Sequence, residues 1–340
     1  MTPGFYRLAV LATLLTFMLV MLGAFVRLSD AGLGCPDWPG CYGHLIGVPE
    51  ADHHVSAANQ AYPQRPVEAP KAWKEMAHRY VAGTLGLLIL ALAAMAWRRR
   101  HATGQPVILP LTLLGLVIFQ AALGMWTVTL LLKPLVVTAH LLGGMATLGL
   151  LFWLVLRSGG HLRAVVVRSV GVLRGLALVA LMVLILQIFL GAWTSTNYAA
   201  LACPDFPTCQ GRWWPQTDFR EAFTLWRGLG INYEHGVLEN TPRMTVHLSH
   251  RLGAIITLLA MLGLAFYLML AQRSCALRGL GAALLTAVCL QVGLGIGIVL
   301  LHLPLPLAVA HNGGAALLLL VLVAINHAAF EAREQVRERA

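Results

Sequence analysis

Eight stretches of about 20 residues run through this 340-residue chain with no charge at their centres. A backbone crosses roughly 30 Å of hydrocarbon only when each peptide group is hydrogen-bonded within its own element, so each stretch reads as a membrane-spanning helix. The spans are 8–28, 76–97, 107–130, 135–156, 175–195, 245–270, 279–301 and 306–329. Composition agrees. The chain is 58% hydrophobic and 11% charged, against about 25% charged in soluble domains. A soluble enzyme, a disordered protein and a disulfide-rich mini-protein are excluded. The first run is too long for a signal-peptide core, has no small-residue cleavage site and ends in Arg27; it reads as a retained helix, and nothing before it resembles a transit peptide.

The net charge of +10 is explained by topology. Arg7, Arg98–Arg100, Arg157, Arg163, Arg168, Arg174, Arg273, Arg278, Arg333, Arg337 and Arg339 fall on one side, 13 of the 24 Lys and Arg, and the short loops of the other side hold only Lys133. Positive charge stays inside, so both termini are expected in the cytoplasm and the long loops 29–74 and 196–243 outside. No nucleic-acid motif is present, and no nucleic-acid partner is expected.

The outer loops carry Cys35, Cys41, Cys203 and Cys209. Facing an oxidising compartment, they fit disulfides better than small buried hydrophobes, the reading given to Cys275 and Cys289. We expect Cys35–Cys41 and Cys203–Cys209, with pairing between loops open; zinc is the lesser reading, because the spacing exceeds two to four residues.

The chain also repeats itself. Gly23-Ala24 and Cys35-Pro36-Asp37-Trp38-Pro39-Gly40-Cys41 recur 168 residues later as Gly191-Ala192 and Cys203-Pro204-Asp205-Phe206-Pro207-Thr208-Cys209. Glu75-Met76-Ala77-His78-Arg79 recurs as His247-Leu248-Ser249-His250-Arg251, and Gln120 with His140 as Gln291 with His311. Each repeat holds four spans, so the halves share one orientation. The expected fold is an all-α polytopic membrane protein of two tandem, pseudo-symmetric four-helix bundles: residues 1–157, a cytoplasmic linker 158–174, and residues 175–340.

His78, His140, His250 and His311 lie inside apolar spans near their outer ends. One such histidine is best read as a hydrogen-bonded core residue; four at matched repeat positions favour ligation. Two imidazoles per half, from facing helices, suit the two faces of a haem iron better than a four-ligand zinc site. His247 and His250, three residues apart, point the same way and cannot serve both faces of one iron. Arg79 and Arg251 are equally suited to holding a haem propionate or to snorkelling to the interface. Glu75 takes the place of His247 and is read either as a carboxylate near the reacting centre or as a complement to a helix N-terminus.

Together these residues resemble the haem A synthase family, membrane enzymes that convert haem O to haem A for terminal oxidases. The resemblance covers nearly the whole chain: eight spans, Glu75-x-x-His78, His140, His250-Arg251, His311 and a cysteine pair in each half. It implies a haem b cofactor between His250 and His311, and a substrate haem O site in the N-terminal half at His78 and His140 with Glu75 catalytic. There a ring methyl would be oxidised to a formyl group through successive hydroxylations. It also implies a bacterial inner-membrane location, with haem O synthase and terminal oxidase assembly proteins as partners besides lipid. Two other readings of the residues stay open: a di-haem bis-histidine electron carrier or quinol-linked cytochrome, and a non-enzymatic haem carrier or oxidase assembly factor.

Overall fold

The structure, a computed structural model, describes residues 2–160 and 167–339. In chain order the elements are α1 (Pro3–Leu28), α2 (Asp52–Ala61), α3 (Ala69–Arg98), α4 (Ile108–Thr129), α5 (Pro134–Gly159), α6 (Val170–Thr196), α7 (Phe219–Ala222), α8 (Asn240–Phe266, continued by a π-helical turn Tyr267–Ala271), α9 (Cys275–Leu300) and α10 (Leu305–Arg339). Eight of these are long and apolar enough to cross a membrane, so the chain is an all-α multi-pass membrane protein. His161 and Arg163, within the expected linker, lie outside the described residues.

The helices are longer than the apolar runs. α3 starts at Ala69, not 76, and α8 at Asn240, not 245; each has a proline in its first turn, Pro70 and Pro242, where its fixed φ suits a helix and its missing N–H costs nothing. α10 continues past 329 into a charged tail. Hydropathy sees only the part of a helix that lipid touches. The longer α3 places Glu75 beyond the first turn, away from the helix start.

Within the first half, α3 packs on α1 and α4, and α5 on α4 and α1; within the second, α8 packs on α6 and α9, and α10 on α9 and α6. Each half is thus a four-helix ring in which α3 faces α5, and α8 faces α10, across the diagonal. The halves meet where α1 and α5 lie against α10 and where α5 lies against α6. One apolar core joins them: Met145 and Leu148 of α5 with Leu184 of α6 and Leu319 and Leu322 of α10. Leu11, Leu14 and Met18 of α1 and Val179 and Met182 of α6 are exposed, as lipid-facing side chains must be. Cys275 and Cys289 are exposed as well, which corrects the expectation of burial: on a membrane helix a small apolar side chain is as much at home against lipid as in the core.

At the cysteine-bearing end the halves interlock. Arg27 Nη2 donates to the Ser195 carbonyl at 2.9 Å, Arg65 pairs with Glu234 at 3.6 Å, Tyr233 N–H donates to Leu131 O at 3.0 Å, and Lys133 Nζ donates to Gly228 O. The outer loop of the second half therefore lies over the first. The repeat is also written in the backbone. Leu131 and Leu132 have φ of 51° and 59°, and their counterparts His302 and Leu303 have 59° and 63°.

Candidate functional site

The four histidines point inward from the diagonal helices. His78 on α3 and His140 on α5 are within electrostatic reach of each other, as are His250 on α8 and His311 on α10. Each ring is seated on a glycine of the neighbouring helix. A Cβ placed on Gly23, Gly191 or Gly295 would stand 3.1 Å from Cε1 of His78, His250 or His311, and one on Gly124 would stand 3.6 Å from that of His140. The missing side chains are what let the imidazoles lie in the bundle interior.

Nδ1 of His78, His140 and His311 is buried with no hydrogen-bond partner. Such atoms are costly unless something uses the ring. No cluster of three or more His, Cys, Asp or Glu able to hold a bare metal ion is found among the described residues. Two imidazoles from facing helices in each bundle are a donor set that would suit a haem iron, and the residues present fit that group.

Above each pair sits a cysteine loop. Cys35–Cys41 and Cys203–Cys209 are disulfides, so pairing is within each loop. Both loops close as tight hairpins: Cys41 N–H donates to His44 O at 2.8 Å, and Cys209 N–H to Arg212 O at 2.9 Å. An aspartate ties each from within. Asp37 accepts the N–H groups of Tyr42 (2.6 Å) and Gly43 (2.8 Å). Asp205 accepts those of Gln210 (2.5 Å) and Gly211 (3.0 Å) and the Thr208 hydroxyl. These donors, the Thr208 hydroxyl foremost, hold the Asp205 carboxyl down at about 2.

The arginines are what bind loop to bundle. Arg79 Nη1 donates to the carbonyls of Asp37 (3.0 Å), Pro39 (3.2 Å) and Gly40 (2.5 Å), and Nη2 to Glu75 Oε1 at 2.5 Å. Arg251 donates to Thr208 O (2.7 Å), Cys203 O (2.9 Å) and Asp205 O (2.8 Å), and its Nε to His247 Nε2 at 3.0 Å. The structure thus turns both guanidinium groups to the cysteine loops, where the sequence reading had weighed propionates against the interface. His247 hands its Nδ1 proton to Ala199 O at 3.0 Å and serves as a neutral acceptor for Arg251. Glu75 does the same for Arg79 with a charge, and its Oε2 also accepts the Cys35 N–H at 2.9 Å. Gly34 lets the loop come this close: a Cβ there would be 2.7 Å from the Lys71 carbonyl.

Read alone, the sequence shows Gln120 and Gln291 only as members of the repeat, and it does not single out Gln187 or what the glutamines touch. Gln187 reaches His250, its amide nitrogen 3.0 Å from Nδ1 and 3.0 Å from the backbone oxygen. Gln291 reaches His311 at 3.4 Å and its backbone oxygen at 2.9 Å. The signal was present as a glutamine four residues before three of the four seating glycines, Gly124, Gly191 and Gly295.

Known proteins are similar to the chain over much of its length. A Heme A synthase of Shewanella oneidensis is 50% identical over 279 residues, 82% of each chain. That of Caulobacter vibrioides is 30% identical over 298 residues, 82% of this chain and 81% of its own. That of Shouchella clausii is 26% identical over 226 residues, 65% and 69%. The family described as cytochrome oxidase assembly protein matches residues 6–323, a stretch holding both disulfide loops and all four inward-pointing histidines, and the chain belongs to that family.

Proposed function

We propose that this protein is a haem A synthase: it oxidises a ring methyl of haem O to a formyl group, giving haem A for terminal oxidase biogenesis. The observation that carries the reading is the pair of diagonal histidines in each bundle, with Glu75 added in only one of them. The 50% identity to a Heme A synthase over 82% of the chain supports it.

In this reading residues 175–340 form the cofactor half, in which His250 and His311 hold haem b, and residues 1–157 the substrate half, in which His78 and His140 hold haem O. Haem b, when bound, supplies reversible one-electron redox chemistry. The outer loops face away from the cytoplasm of a bacterial cell, both termini face it, and haem O synthase and oxidase assembly proteins are the partners. Turning a methyl into a formyl group adds one oxygen and, where that oxygen comes from water, releases four protons and four electrons, the electrons to an external acceptor. The first two-electron step gives the alcohol; the second gives a geminal diol that loses water. Positive charge develops at the carbon as electrons leave, and a carboxylate one turn from His78 is placed to stabilise it or to take a proton from the attacking water. Glu75 is held for that role by Arg79 and the Cys35 N–H. The glycine-seated imidazoles orient the rings, and the arginine-clamped loop closes the outer end of the bundle.

The test is the haem extracted from cells with and without the protein. Haem A should accumulate only with it, at the expense of haem O. An unchanged haem profile would instead favour an electron carrier or a haem-delivery protein.

A further inference from the structure

The four histidines sit in one repeated module, and it is broken at one of them. His140, His250 and His311 are each followed three residues later by a glycine, Gly143, Gly253 and Gly314, and each of these makes room for a glutamine of the next helix. A Cβ on any of the three would collide with the amide of Gln120, Gln187 or Gln291 respectively. Each glutamine lies four residues, one turn, before the glycine on which the imidazole is seated. At His78 the seat is the same, Gly23 at the same 3.1 Å. The repeat-equivalent glutamine and glycine, however, are Leu19 and Val81.

The two halves therefore compare like with like. An imidazole that gives Nε2 to iron carries its proton on Nδ1, and an acceptor there fixes the ring and strengthens the ligand. Gln187 stands at that atom of His250. As it stands, the amide nitrogen donates to the His250 carbonyl at 3.0 Å and faces Nδ1; its Oε1 is buried and unpartnered, and exchanging the two ends of the amide brings this oxygen to Nδ1 at the expense of the bond to the carbonyl. Gln291 differs: it meets the His311 ring at Nε2, at 3.4 Å, and donates to the His311 carbonyl at 2.9 Å. His78 Nδ1, His140 Nδ1 and His311 Nδ1 have no partner, and neither does the Gln120 amide nitrogen, so His250 is the one ring of the four that a glutamine meets at this atom.

We propose that Gln187, admitted by Gly253, is the positioning residue that latches His250 and makes the second bundle a site that keeps its haem, and that Leu19 and Val81 leave His78 unlatched, making the first bundle a site that exchanges it. This rests on the two-haem reading above and says what differentiates its halves. A synthase needs that difference, because a product site must let go and a cofactor site must not.

The experiment loads the full-length protein with iron protoporphyrin and follows transfer of haem to excess apomyoglobin. In the wild type the haem of the first half leaves quickly and that of the second stays. Gln187→Met keeps the volume and deletes the amide; it should speed loss from the second half roughly ten- to hundred-fold, the usual cost of losing such a partner. Leu19→Gln with Val81→Gly installs the module in the first half and should raise the haem retained per chain above wild type, a gain that general damage does not produce. His250→Ala separates the two levels of the argument. Retention untouched by His250→Ala overturns the cofactor assignment and this proposal together. Retention lost in His250→Ala but unchanged in Gln187→Met overturns this proposal alone, as does a Leu19→Gln, Val81→Gly protein that retains no more haem than wild type.

Discussion

Glu75 is buried beneath the first cysteine loop, in the N-terminal part of α3. Its company is specific: Arg79 at 2.5 Å and the Cys35 N–H at 2.9 Å. Replacing it by glutamine keeps the size and one of the two accepted hydrogen bonds and removes the charge. If that charge stabilises the reacting carbon, Glu75→Gln slows turnover by roughly two to three powers of ten, while haem at His250 and His311 is retained. Haem O or a partly oxidised intermediate then accumulates in extracts; near-normal haem A output would remove Glu75 from the chemistry. Asp205 makes the opposite kind of prediction, about stability. Its carboxyl is held at about 2 against an ordinary 3.8. The folded value is the lower one, so the stabilisation is complete above about pH 4 and is lost as pH falls toward 2. Asp205→Asn should make the Cys203–Cys209 disulfide easier to reduce at neutral pH. The gap to wild type should close between about pH 4 and pH 2, as read by phosphine reduction rates; a gap constant across that range would refute the account.

At the scale of elements, the loop-on-helix contact is the most exacting. Gly34 meets the α3 backbone, which cannot give way as a side chain can. Gly34→Ala should cost about 1–3 kcal/mol, seen as a lower unfolding temperature in detergent. Gly34→Ala at wild-type stability would mean that the loop does not need that closeness. This scale also shows what could be read from residues alone. The eight helices were legible because lipid leaves a chain no other way to cross. The polar turns that begin α3 and α8 were not, since hydropathy is blind to Lys71 or Arg243 in a helix. The inward placement of His78, His140, His250 and His311 was foreshadowed by their depth and repetition. The partners of Arg79 and Arg251 were not: their acceptors are backbone carbonyls, which every residue owns, so no spacing announces them. Gln187 and Gly253 were missed because one glutamine and one glycine in an apolar run are unremarkable until the helices are set side by side.

On the whole-molecule scale, the halves are held by packing of α1 and α5 on α10 and of α5 on α6, and by the ties at the cysteine-bearing end. Between helices in lipid it is close packing and hydrogen bonds, rather than the exclusion of water, that hold. Residues 2–160 and 167–340 expressed as two chains in one cell should therefore associate, with a tag on one recovering the other; separate recovery would show that the connecting segment does the joining. The left-handed pairs Leu131–Leu132 and His302–Leu303 point further. Side chains at these two turns have diverged, a leucine facing a histidine, yet the main chain has kept a conformation that neither residue favours. That is the trace of one four-helix unit duplicated in tandem. The copies have since drifted apart, and three departures gather around one histidine of the four, His78: Glu75 where its counterpart has histidine, and Leu19 and Val81 where its counterpart has glutamine and glycine.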